Sequence, residues 1–243
     1  MAGMNANSSG GGAPMAGMSQ SPATSSGNST APMDSMPNMN MSGMGNTTQG
    51  NMPGMGQTTM PAAAKIPTVN ASGVDPATLT GNPNVDNVAM MPQSRLAEAG
   101  DGLDGNGRRN LTYADLAASE PDEDSALPTR EIEFHLTGNM ERFTWGFDGK
   151  AFSEAPPVHV KLGECVRFVL TNDTMMEHPI HLHGFLFSLE NGQSQLPRKH
   201  TVNVKPNERL SFVFTADTPG YWAFHCHLLY HMEMGMFRTV VVS

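Results

Sequence analysis

From Pro128 onward the chain alternates apolar and polar residues with a period of two. Ile132, Phe134 and Leu136 fall on one side and Glu131, Glu133 and His135 on the other, the pattern of a half-buried strand that turns His135 outward. Asp148-Gly149 marks a turn after a strand over 143–147. Further strands are predicted over 157–162, 164–171, 180–189, 200–204, 209–215, 220–225 and 237–242, and no stretch carries a helical period. His159, between Val158 and Val160, reads as exposed. His200, in the basic run Arg198-Lys199-His200, reads as structural. Short strands in that number, separated by Gly and Pro, imply an all-β Greek-key sandwich or barrel.

Composition limits where this domain lies. All eleven Phe and both Trp lie at or after position 134, and the one aromatic residue before Arg130 is Tyr113. A segment so poor in large apolar side chains cannot bury a core, so residues 1–107 are expected to be a long disordered tail. Fourteen of the twenty Met fall between Met1 and Met91, set among Gly, Ser, Asn, Pro and Thr. Thioethers are soft ligands suited to Cu(I), so spaced Met on a flexible chain can gather cuprous ions; compositional drift in a linker is the alternative. Residues 108–128 form an acidic connector whose segment Leu111-Thr112-Tyr113-Ala114-Asp115-Leu116 is a candidate for docking on a partner domain. Residues 129–243 then make the one globular domain.

Charge and targeting signals exclude some functions. Fourteen Lys and Arg against 23 Asp and Glu leave a net charge of -9, which disfavours nucleic acid as a partner. No apolar run approaches a membrane span, and with no basic n-region and apolar run at its start the sequence as given is expected to carry no export signal of its own. With only Cys165 and Cys226 there is no disulfide framework.

The candidate chemistry is concentrated in two windows. In His225-Cys226-His227-Leu228-Leu229-Tyr230-His231-Met232-Glu233-Met234-Gly235-Met236, a thiol, an imidazole and a thioether recur at spacings of five and five. A copper ion that exchanges single electrons wants one thiolate, two imidazoles and a weak thioether. The second imidazole comes from His178-Pro179-Ile180-His181-Leu182-His183. On a strand neighbouring side chains face opposite ways, so His181 and His183 share one face and His178 lies on the other; likewise His225 and His227 share a face that Cys226 does not. His178, Cys226, His231 and Met236 are thus candidates for one mononuclear site, and His181, His183, His225 and His227 for a cluster of imidazoles behind it. A disulfide between Cys165 and Cys226 would destroy the first.

At these residues the sequence resembles a family. HPIHLHGF and HCHLLYHMEMGM are similar to the last two of the four copper-binding motifs of multicopper oxidases. REIEFHLTGNMERFTWGFDGKAF, NDTMMEHPIHLHG, PRKHTVNVKPNERLSF and WAFHCHLLYHMEMGMF resemble the C-terminal cupredoxin domain of the bacterial copper-resistance members, over roughly residues 111–243.

The resemblance implies a cupredoxin-like fold, with His178, Cys226, His231 and Met236 as type 1 copper ligands. It implies His181 as a type 2 ligand and His183, His225 and His227 as type 3 ligands. It also implies one-electron oxidation of a substrate at the type 1 copper, with His231 as the route of the electron and Cys226 passing it to His225 and His227. Dioxygen is then reduced to water at the trinuclear cluster, in the periplasm, in the service of copper resistance.

Two further His-x-His motifs, from N-terminal cupredoxin domains, complete the cluster in that family, and this sequence has none beyond the two quoted. The expectation is therefore a C-terminal piece of such an oxidase, with those domains on a separate or missing polypeptide and Met1 internal to a linker. Cu(I) is a plausible substrate, since Met232 and Met234 flank the His231 side and Met175, Met176 and Glu177 adjoin His178; ordinary packing accounts for those Met equally well. A non-catalytic cupredoxin electron carrier or copper-binding module is the alternative, and it leaves four imidazoles unexplained. A structural zinc domain fits a lone Cys and a Met poorly.

Overall fold

The structure is a computed structural model that describes residues 66–71, 73, 75–120 and 126–243. The Met-rich residues 1–65 and the acidic residues 121–125 lie outside the described residues, and with them most of the expected copper-gathering tail.

Two sheets pack face to face. The first joins β1 (Thr68–Asn70), β2 (Arg130–Asn139), β5 (Cys165–Asn172), β10 (Arg209–Thr215), β7 (Phe187–Leu189) and β8 (Arg198–Lys199) in that order, with β3 (Thr144–Phe147) paired to β2. The second runs β4 (Val158–Val160), β12 (Phe237–Val242), β11 (Gly220–Cys226), β6 (His178–Leu182) and β9 (Thr201–Val204). Alternating residues of both sheets meet in an aromatic core. Phe224 of β11 sits 5.0 Å from the ring of Phe134 on β2, 5.3 Å from Phe147 on β3 and 5.4 Å from Phe168 on β5. Each of these rings is fully buried, so the far end of β11, which carries the Cys and His residues, is anchored by a large apolar contact area.

Four sequence expectations are corrected. The single strand expected over 180–189 is two strands in different sheets, β6 and β7, because the chain turns at Gly184. There φ is +79°, and a Cβ would lie 2.4 Å from the Trp222 ring, so only glycine fits. The loop after β11 contains one helical turn, α1 (Leu229–Glu233), too short to show a sequence period.

The tail expected through residue 107 is packed from about residue 66 onward: β1 pairs in parallel with β2, and Leu79 and Leu96 are buried. Ala89 N donates to Asp173 Oδ1 at 2.9 Å and Arg95 N to Glu208 Oε1 at 3.0 Å. Lys205 Nζ donates to the carbonyls of Glu98 and Ala99. Backbone polar groups met by buried carboxylates and an ammonium thus do for this segment what large apolar side chains do elsewhere. The 111–116 segment docks on this same domain, with Asn191 Nδ2 donating to the carbonyls of Tyr113 and Leu116 and Asn203 N donating to the Tyr113 hydroxyl.

The fourth correction concerns His135, which is buried because this added layer covers its side of β2. Its Nδ1 lies 2.8 Å from Asp173 Oδ2. Burial alone would lower its pKa, but the hydrogen bond and charge of Asp173, with Asp148 and Glu133 nearby, hold it above the usual value.

Candidate metal centre

Pairing between β6 and β11 builds two groups of ligands on opposite faces of one sheet. The register sets Leu182 opposite Phe224, His181 opposite His225, and Ile180 opposite Cys226. Pro179 keeps its place in the ladder opposite Asn203, so the alternation continues through it to His178. His178, Ile180 and Leu182 therefore face inward with Phe224 and Cys226, while His181 and His225 share the other face.

On the inner face Cys226 Sγ lies 3.7 Å from His178 Nδ1 and 3.8 Å from His231 Nδ1, and the two nitrogens are 3.1 Å apart. Three ligands bonded at about 2.0–2.3 Å around one ion, at angles of about 100–120°, stand about 3.1–3.8 Å from each other, so this triangle has the size of a metal site. Met236 is fully buried in the same core, and its backbone is fixed against Cys226: Cys226 N donates to Met236 O, and Met236 N to His231 O. One thiol, two imidazoles and a neighbouring thioether are the donor set of a blue-copper centre, and they fit that metal.

Burial sets the charge state of these groups. Burial, with the neighbouring His231, lowers His178 to about 3, and burial also lowers His231. Burial raises Cys226 to about 11. Both imidazoles are thus neutral and ready to ligate at pH 7, whereas the thiol gives up its proton only to a cation placed beside it.

Sequence reasoning missed Thr174. Its hydroxyl is 2.7 Å from His178 Nε2 and 2.9 Å from Asn172 Oδ1. The amide oxygen of Asn172 can only accept, so the Thr174 proton points there and the hydroxyl accepts from His178 Nε2–H. That fixes the tautomer with the Nδ1 lone pair toward Cys226.

On the outer face the ligand nitrogens of His181, His183 and His225 lie within 4.8 Å of one another, with His183 Nε2 3.0 Å from His225 Nε2. His181 Nδ1 donates to the carbonyl of His200 at 2.6 Å, and His225 Nδ1 to that of Cys226 at 2.8 Å, which leaves each Nε2 with a lone pair that can ligate. Burial lowers the pKa of both rings. His227 stands at the rim, its ring 5.6 Å from His181 and 5.9 Å from His225, outside the tight group of three. His183 and His227 are exposed, so the cluster opens at the surface. His200 lies beside His181 as an orienting neighbour, and its ring nitrogen is 3.3 Å from His181 Nδ1. His159 is exposed on β4. Cys165 and Cys226 form no disulfide and lie in different sheets.

A sequence profile of the multicopper oxidase family matches residues 126–243. A copper resistance protein A homolog of Pseudomonas syringae pv. tomato is 55% identical over 163 residues, 67% of this chain and 28% of its own length. Copper resistance protein A of Escherichia coli is 54% identical over 169 residues, 69% of this chain and again 28% of its own. The multicopper oxidase MmcO of Mycobacterium tuberculosis is 41% identical over 110 residues, 45% of this chain and 22% of its own. Among solved structures, a multicopper oxidase of Campylobacter jejuni described as a metallo-oxidase aligns with a TM-score of 0.44 at 23% identity, over 51% of this chain and 32% of that one. The chain thus spans little more than a quarter of the length of the copper resistance proteins it matches. Through its C-terminal part, residues 126–243, the chain belongs to the multicopper oxidase superfamily, whose cofactor is copper.

Proposed function

We propose that this chain is the electron-accepting C-terminal part of a copper-resistance multicopper oxidase. In this reading His178, Cys226, His231 and Met236 hold a type 1 copper, and His181, His183, His225 and His227 provide half the ligands of a cluster that reduces dioxygen. The observation that carries it is the placement of two imidazole-bearing sites on opposite faces of one strand end, joined by the single peptide bond between His225 and Cys226.

Copper, when bound, supplies the one-electron redox chemistry. The chain supplies the rest. Thr174 holds the proton of His178 at Nε2, the His200 carbonyl holds that of His181 at Nδ1, and the aromatic core around Phe224 keeps water from Cys226. His183 and His227 face outward at the surface, which suits imidazoles that meet further ligands from residues outside this sequence. A periplasmic setting and Cu(I) as the oxidised substrate accompany this reading; Met234 and Met175 are exposed near the two ends of the site's sequence windows, where a soft cation would meet them.

The same openness favours a second reading, a cupredoxin-like carrier that passes electrons without reducing dioxygen. Titrating the purified chain with Cu(II) separates these. An intense visible thiolate-to-copper band that disappears in Cys226→Ser is expected. Oxygen uptake is expected only after the missing His-x-His domains are added. Absence of the band from the wild-type chain refutes both readings, and a band without any restored oxygen uptake leaves the carrier.

A further inference from the structure

His178, Cys226 and Met236 are each 0% exposed and His231 is 4% exposed, so His231 is the ligand through which the inner site comes nearest to solvent. The face of its ring is covered. Trp145 stacks on it with ring centroids 4.5 Å apart and planes 18° from parallel, and Tyr230, 56% exposed, meets Trp145 edge-on at 5.6 Å.

Three features press Trp145 into that place. Gly138 stands opposite it in the β2–β3 ladder, where a Cβ would lie 2.8 Å from the indole Cδ1. Gly235, at φ +124°, passes so close that a Cβ would lie 2.8 Å from the Trp145 carbonyl. Arg238, buried on β12, donates to the carbonyls of Phe147 and Lys150 at 2.6 and 2.9 Å and ties down the far end of β3.

We propose that Trp145, flanked by Tyr230, is the specificity-determining cover of the electron entrance, and that it excludes organic donors from contact with His231. The proposal rests on the type 1 reading above. Copper held by Cys226, His178 and His231 would take up the single electron that a donor gives, and no bond is made or broken at Trp145. Trp145 is itself 3% exposed, so an ionic outer-sphere donor meets the exposed Tyr230 and needs only electronic coupling through the two rings to His231. A hydroquinone releases its proton to water as it gives up the electron, and as a flat aromatic donor it couples best in direct contact with the imidazole edge.

The test is anaerobic stopped-flow reduction of the Cu(II)-loaded chain, followed as bleaching of the visible band, with hexacyanoferrate(II) and with hydroquinone. In Trp145→Leu the hydroquinone rate is expected to rise by at least about tenfold and the hexacyanoferrate(II) rate to change by less than about threefold. Trp145→Phe, which keeps a smaller ring on His231, falls between, and Gly138→Ala, which displaces the indole, follows the Leu variant. These two carry the test if Trp145→Leu does not fold. An unchanged hydroquinone rate, or equal acceleration by both donors, in variants that retain the band overturns the proposal. A wild-type chain with no band overturns the type 1 reading, and the proposal with it.

Discussion

Replacing Thr174 with Val tests the inner site without touching a ligand. The two side chains have nearly the same shape, so the change removes hydrogen bonds and little packing. His178 is fully buried, and its Nε2–H has the Thr174 hydroxyl as its acceptor at 2.7 Å. A buried donor left without a partner costs about 1–3 kcal/mol. The other lost bonds add less: Met176 N, 3.2 Å from the hydroxyl, is half-buried and within reach of water, and Asn172 Oδ1 still accepts from Thr174 N. Urea unfolding of the metal-free chain at pH 7 should therefore show Thr174→Val less stable by about 1–3 kcal/mol with an unchanged m-value, and Thr174→Ser restored to within about 1 kcal/mol. The Val variant should also bind Cu(II) more weakly, since nothing then holds the tautomer. A Val variant as stable as the Ser variant, with the same copper titration, would refute the assigned proton position.

Other consequences follow from burial. Leu79 is 1% exposed against the domain, so Leu79→Ala should cost about 2–5 kcal/mol in thermal or urea unfolding; no loss would mean that the segment around it is dispensable to the fold. His178 in the folded metal-free chain has its pKa depressed to about 3 from 6.5, so the unfolded chain takes up the proton first. Stability should then fall as pH drops below 6.5, by about 1.4 kcal/mol per pH unit for that one proton, and His178→Gln should flatten the slope. His135 behaves in the opposite sense, because Asp173 holds its folded value above 6.5. Its contribution is complete below 6.5 and is lost as pH rises through the raised value, so Asp173→Asn should remove that part of the pH profile.

Much of this architecture is legible in the sequence, and what is not has physical causes. Period-two alternation marks β2 and β10, and short apolar or aromatic runs mark β5, β11 and β12, whose residues are buried along most of β5 and at the C-terminal ends of β11 and β12. The same parity separates His178 from His181 and His183, since β6 stays in register through Pro179. Alternation fails at His135, where a second layer covers what would be the solvent side of β2. That layer is held by backbone groups bonded to Asp173 and Glu208, which leave no apolar pattern to read. Thr174 and Trp145 were missed for another reason. Thr174, four residues before His178, acts through one hydrogen bond in a loop, and Trp145 acts through a ring contact with a ligand distant in sequence; neither spacing nor composition carries such a pairing.

The central claim is that one sulfur and two ring nitrogens share a copper ion. Diffraction data collected at the copper absorption edge from copper-soaked crystals test it most directly. A single anomalous peak within bonding distance of Cys226 Sγ, His178 Nδ1 and His231 Nδ1 is the predicted result. Copper found only at His181, His183 and His225, or a structure in which Cys226 turns away from both rings, would contradict it.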